Sequence, residues 1–269
     1  QLAAENKLVW VQWAPFDFSN FPEWLLNSIK FCKKIVPFSQ QAEKVFREAG
    51  LTQTSKAIWL GLDLNIWQPS DRRLDPKLMA SLSFSEDSYN ILIVAANQSR
   101  KYLRETLEAI AQFIKAYPQA NTRVYMHTHA RGERQLDIDV HDLKLQDVVR
   151  FPDPYLLLLG GIDEQKMAHV FSAADVVMDV CMEGFGLAQT QAQAVGVPVI
   201  CFSEGAGPEL VRWGVQVPSY SVDRHDQLLK PVPHPAQIAT GLEQLYLEYV
   251  KGNRRSQQAI DWAQANLSW

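Results

Sequence analysis

From residue 88 onward, short continuously apolar runs alternate with amphipathic stretches. Ile91-Leu-Ile-Val-Ala-Ala96, Arg123-Val-Tyr-Met-His-Thr128, Val148-Val-Arg-Phe151, Asp175-Val-Val-Met-Asp-Val180 and Val197-Pro-Val-Ile-Cys-Phe202 read as strands. The stretches 103–117 and 163–173 carry apolar residues at helical spacing and read as helices, as does the segment opening at Leu187. Strands apolar on both faces and separated by helices imply a parallel sheet covered on both sides. Ahead of this block, 8–13, 35–39 and 57–60 read as strands, with helices over 22–31 and 40–49, the second closed by Gly50. Behind it, Pro231-Val-Pro-His-Pro235 reads as a divider before helices at 236–251 and 256–265.

In a parallel sheet of this kind, ligands bind beyond the carboxyl ends of the strands. The chemistry-bearing residues fall at such ends. Glu183-Gly-Phe-Gly-Leu187 lies between a strand and a helix, and Ser203-Glu-Gly-Ala-Gly-Pro-Glu209 follows the next strand. Glycine-rich turns at helix starts suit a diphosphate, because backbone N–H groups and the helix dipole attract the anion. Asn97-Gln-Ser-Arg-Lys101 follows the strand at 91–96, where Arg100 and Lys101 are placed to neutralise a phosphate.

The ordered run Glu-Gly-Phe-Gly-Leu, Ala192, Gly196-Val-Pro-Val-Ile200 and the Gly-Ala-Gly-Pro-Glu209 turn resembles the retaining GT-B glycosyltransferases of the family that includes sucrose synthases and bacterial mannosyltransferases. The resemblance implies an α/β GT-B fold of two Rossmann-like lobes with parallel sheets. It places residues 1–70 in a partial N-terminal, acceptor-side lobe and linker, 71–235 in a nucleotide-sugar-binding lobe, and 236–269 in C-terminal helices. It implies transfer of a hexose from a nucleotide-diphosphate sugar to a sugar or lipid-linked acceptor, with retention, no metal and no cofactor.

The implied donor-binding residues are Asn97, Arg100, Lys101, Glu183, Gly184, Phe185, Gly186, Leu187 and Gln191, with Lys101 and Glu183 nearest the chemistry. Asp17, in the loop after the first strand, is the candidate on the acceptor side. Gln191 is a departure, since the family carries a second Glu there that accepts from the ribose hydroxyls. An amide loses the charge-assisted part of that bond. Two other readings stand beside glycosyl transfer: a weak or inactive nucleotide-sugar-binding fragment, and a GT-B nucleotide-sugar epimerase.

Composition narrows the partners. A net charge of −4 without a long basic run argues against nucleic acid, and no apolar stretch reaches membrane-spanning length. Three cysteines in apolar contexts suit reduced thiols and a cytoplasmic location, peripheral membrane attachment being left open. No Cys/His cluster has zinc spacing.

Overall fold

A computed structural model describes residues 8–70, 76–225 and 227–269. Its centre is a six-stranded, all-parallel sheet of β3 (Asn90–Val94), β4 (Arg123–His127), β5 (Val149–Arg150), β6 (Val176–Asp179), β7 (Val199–Phe202) and β8 (Gly214–Val217). The strands lie in the order β5-β4-β3-β6-β7-β8. In units of chain order this is 3-2-1-4-5-6, the doubly wound arrangement, and the direction of winding reverses between β3 and β6.

The pleat explains the continuous apolar runs. Ile91, Ile93, Met126 and Met178 join Leu107, Ile110 and Phe113 of α4 (Leu103–Ala116) and Ile238 and Leu242 of α10 (Pro235–Val250) in one buried cluster. Leu92, Tyr125, Val177 and Val199 point the other way. They meet Phe171 of α7 (Glu164–Ala173), Ala192 of α8 (Leu187–Ala194) and Ala263 of α11 (Gln257–Asn266). Both faces are buried, so successive residues of each strand must be apolar.

A smaller unit precedes the sheet. β1 (Val11–Ala14) pairs in parallel with β2 (Lys34–Pro37), flanked by α1 (Glu23–Ile29) and α2 (Gln40–Glu48). Phe16, Ile35, Val45, Phe46 and Leu51 form its core. The expected strand at 57–60 is not one. Ser55 N–H donates to Ile35 O at 2.8 Å and Ile58 N–H to Pro37 O at 2.9 Å, so three residues span what two span on β2. That slip breaks the ladder, and Pro37 has no N–H to restore it.

Other elements escaped the sequence pattern: α3 (Pro76–Leu82), α5 (Leu136–Asp142), α6 (Pro154–Leu158), the single turn α9 (Gly207–Leu210), and β8. The expected divider at 231–235 is instead part of an antiparallel hairpin, β9 (Ser219–His225) with β10 (Leu228–Pro233). Pro231 and Pro233 are tolerated because, among the described residues, neither strand has a neighbour on its outer edge. Among the described residues no helix is long and apolar enough to cross a membrane.

Candidate active site

The reversal between β3 and β6 leaves a crevice at the carboxyl edge of the sheet, and the turn after each of those strands opens onto it. After β3 the chain runs through a single 3₁₀ turn (Ser99–Lys101) and then Tyr102, in the left-handed region at φ 48°, before α4 begins. After β6 it passes Val180–Gly186, and Gly186 at φ 83° turns it into α8. The positive φ favours glycine there, and a Cβ would also displace the end of the Gln189 side chain, 2.8 Å away.

These turns bring the predicted cations and carboxylate together. Lys101 Nζ pairs with Glu183 Oε1, and Arg100 Nη1 lies 3.8 Å from the same oxygen. The side chains of Lys101 and Glu183 are only 10% and 13% exposed, which makes this an interior pair. Arg100 also reaches Asp17 Oδ2 at 3.3 Å, and Asp17 Oδ1 accepts the Gly184 N–H at 2.7 Å. Asp17, from the loop after β1, is thus bound directly to the glycine-rich turn.

Beneath Glu183 lies a network that the sequence did not announce. The Cys181 thiol donates to Glu183 Oε1 at 3.0 Å and approaches Asp179 Oδ1 at 3.4 Å. Gln189 Nε2 donates to the other Asp179 oxygen at 3.0 Å. Burial, then the charge of Asp179, pushes the Cys181 thiol far above its ordinary value, so it is a neutral donor. Asp179, Cys181 and Glu183 place a ligand atom each within 4.8 Å of one another. The ammonium of Lys101 and the amide of Gln189 already sit on the two carboxylates.

A cleft of about 550 Å³ opens in front of this network, between Pro15, Asp17, Phe38 and Leu60 on one side and the two turns on the other. Arg100, Lys101, Glu183, Gly184, Phe185, Gly186, Leu187 and Gln191 all line it. Phe185 is buried and packs the turn, whereas Leu187 is exposed at the rim. Asn97 is elsewhere. Its amide donates to His129 O and Arg134 O, both at 2.9 Å, and accepts from Arg134 N–H at 3.1 Å, so it is spent on the loop after β4.

The second glycine-rich turn supports the first. Ala206 N–H donates to Glu183 O at 3.0 Å, and Gly205 packs on the Glu183 backbone. Its last residue, Glu209, reaches away from the cleft network to the start of α2. There its carboxylate accepts from Gln40 N–H at 2.9 Å, Gln41 N–H at 3.4 Å and Trp59 Nε1 at 3.3 Å.

Comparison with known proteins agrees with this geometry. The sequence profile described as "Glycosyl transferases group 1" matches residues 88–248, more than half of the chain. The chain belongs to the glycosyl transferases group 1 family. Among its relatives, the D-inositol 3-phosphate glycosyltransferase of Geodermatophilus obscurus is 30% identical over 210 residues, 75% of this chain and 43% of the relative. That of Corynebacterium kroppenstedtii is 27% identical over 215 residues, 78% of this chain and 44% of the relative. The chain spans less than half the length of these curated relatives.

The fold is shared with solved structures. Anabaena HepE in complex with UDP-glucose superposes with a TM-score of 0.76 at 18% identity, covering 99% of this chain and 70% of HepE. Sucrose-phosphate synthase from Thermosynechococcus elongatus gives 0.70 at 18% identity, covering 97% and 64%. This group 1 chain therefore has the GT-B fold expected from its motifs.

Proposed function

We propose that the cleft binds a nucleotide-diphosphate sugar and that the protein transfers the hexose to an acceptor with retention and without a metal. The observation that carries this reading is the convergence of Arg100, Lys101 and the Gly184–Leu187 turn at the point where the sheet reverses. Breaking a glycosyl–phosphate bond leaves charge on the diphosphate. Two cations and backbone amides at the start of α8 are placed to stabilise that charge as it develops.

In this proposal Lys101 and Arg100 hold the diphosphate, Glu183 accepts from hydroxyls of the sugar, and Gln191 hydrogen-bonds the ribose. Phe185 fixes the shape of the turn. A double displacement would require a free carboxylate against the far face of the sugar. Glu183 is paired with Lys101 and bonded to Cys181, so it is a poor nucleophile. Departure and attack on the same face, with the cations neutralising the leaving group, fit the residues better. By the same reading Asp17 borders the acceptor side of the cleft, and the three-part division at residues 70 and 235 separates acceptor lobe, donor lobe and C-terminal helices.

The experiment is a thermal-shift panel with UDP, GDP, ADP and their hexose conjugates, followed by anomeric analysis of any transfer product. A ligand at a hundred times its dissociation constant adds about 2.7 kcal/mol of stability. Stabilisation by one nucleotide and an α-linked product from an α-linked donor support the reading. No shift with any of them, or an inverted product, would sink it.

A further inference from the structure

Three of the groups proposed to receive the diphosphate, Arg100, Lys101 and the Gly184 N–H, are already paired with carboxylates of the chain itself. Asp17 bridges the Gly184 N–H and the Arg100 guanidinium, at 2.7 and 3.3 Å. Its loop lies directly on the glycine-rich turn, since a Cβ built on Gly184 would fall 2.6 Å from Phe16 N and 2.7 Å from Asp17 Oδ1. Nothing as large as a phosphate passes between surfaces that close. A carboxylate that accepts one backbone N–H and pairs with one guanidinium makes the contacts of a phosphate oxygen.

The loop that carries Asp17 is held from its other side. Asn20 Nδ2 donates to Gln227 O at 2.7 Å, and Asn20 Oδ1 accepts Leu229 N–H at 2.7 Å, so one side chain is fastened to the tip of the β9–β10 hairpin by both of its polar atoms. Ser19 N–H adds a bond to Leu229 O at 3.1 Å, and Lys230 Nζ stands over the Phe18 ring at 5.6 Å. Behind this contact Asp17, Phe18, Arg100, Tyr102, Met182 and Lys230 enclose only about 10 Å³, so loop, hairpin and β3 turn are packed together.

We infer that the chain is self-inhibited at its donor cleft: the Asp17 carboxylate occupies the position of an incoming phosphate, and the β9–β10 hairpin straps it there through Asn20. The inference rests on the donor reading above and adds a control element to it. Seating a phosphate on the Gly184 N–H and Arg100 then requires the 15–20 segment to leave the Gly184 turn, and the diphosphate replaces one anion by another on those donors. The apparent affinity is lowered by the fraction of molecules that are latched.

The test compares the intact chain with Asp17→Ala and Asn20→Ala by calorimetric titration of UDP, GDP and ADP. Amide hydrogen exchange of the 182–188 segment is followed without nucleotide. Asn20→Ala removes no charge and touches neither cation, so it discriminates release of the loop from a simple change in electrostatics. The expected result is faster exchange at 182–188 in both variants and about tenfold tighter binding of the nucleotide that the unmodified chain binds, as for a latch closed in about nine molecules of ten. If the unmodified chain binds a nucleotide and Asn20→Ala binds it equally or more weakly, the latch is overturned. Tightening in Asp17→Ala alone, with exchange unchanged in Asn20→Ala, overturns it too. If none of the three proteins binds any of the three nucleotides, the donor reading fails, and the latch with it.

Discussion

Lys101 and Glu183 form an ion pair between the turn after β3 and the turn after β6, at the one place where the sheet reverses its winding. Each is the other's principal charge partner, with Arg100 at 3.8 Å and the Cys181 thiol at 3.0 Å as secondary contacts of Glu183. Replacing Lys101→Met leaves Glu183 with those two alone. Removing one member of a buried pair costs about 3–5 kcal/mol of stability, and the secondary contacts should keep the loss toward the lower end. Loss of a cation that acts on the leaving group lowers turnover by about 10²–10³-fold. Denaturant melts and initial rates at saturating donor check both. A variant that is less stable yet fully active would make Lys101 a structural residue only.

Gly205 couples the two glycine-rich turns. At φ 80° its ideal Cβ would stand 2.9 Å from Glu183 O and 3.1 Å from Glu183 N, both backbone atoms that cannot swing aside. Gly205→Ala therefore combines left-handed strain with pressure on the Glu183 turn, at about 1–3 kcal/mol. The expected outcome is a lower melting temperature together with weaker nucleotide binding. Gly50→Ala supplies the contrast, because that glycine also has a positive φ, 82°, but nothing within 4 Å of its ideal Cβ. It should lose stability without losing affinity.

The sheet was legible because its strands are buried on both faces, so β3, β4, β6 and β7 appear as unbroken apolar runs. The cleft was legible for a related reason: glycine, carboxylate and cations at strand ends are expensive to place there without a ligand to meet. What escaped lacks either signal. β8 carries Gln216 and begins at a glycine, and α5 and α6 are too short for helical periodicity to emerge. The hairpin was hidden by Pro231 and Pro233, which read as linker until the strand edges are seen to be free. Asn20, Cys181 and Gln189 are ordinary polar residues in sequence, and only the fold brings Asn20 to residues 227 and 229. Asn97 shows the reverse case, a residue in the expected turn whose side chain is committed to a neighbouring loop.

Gln191 lines the cleft and is half-buried on α8. If it meets a ribose hydroxyl as proposed, Gln191→Glu converts a neutral hydrogen bond into a charge-assisted one. The gain is about 1 kcal/mol, or roughly fivefold in dissociation constant. Calorimetric titration of the preferred nucleoside diphosphate measures it directly. The matching 2′-deoxy nucleotide should show less of the gain, and an equal gain for both would move Gln191 off the 2′-hydroxyl.

His127, at the carboxyl end of β4, gives the protein an acid-sensitive element. Burial holds its pKa below the ordinary 6.5, so the folded state keeps the ring neutral where the unfolded chain would protonate it. Its Nδ1 lies 3.3 Å from the Tyr125 hydroxyl, itself neutral across this range because burial raises its pKa to about 12. With the folded pKa below the unfolded one, the unfolded state binds more protons between the two values. Stability therefore rises with pH in that window. The contribution of His127 is complete above about 6.5 and is lost as pH falls from there through the folded-state value. Urea unfolding at pH 7.5 and 5.5 should show a larger loss in the unmodified protein than in His127→Gln, which keeps a polar group of similar reach and does not titrate. Equal losses in the two proteins would mean that the ring is protonated as easily in the fold as outside it, contrary to its burial beside Tyr125.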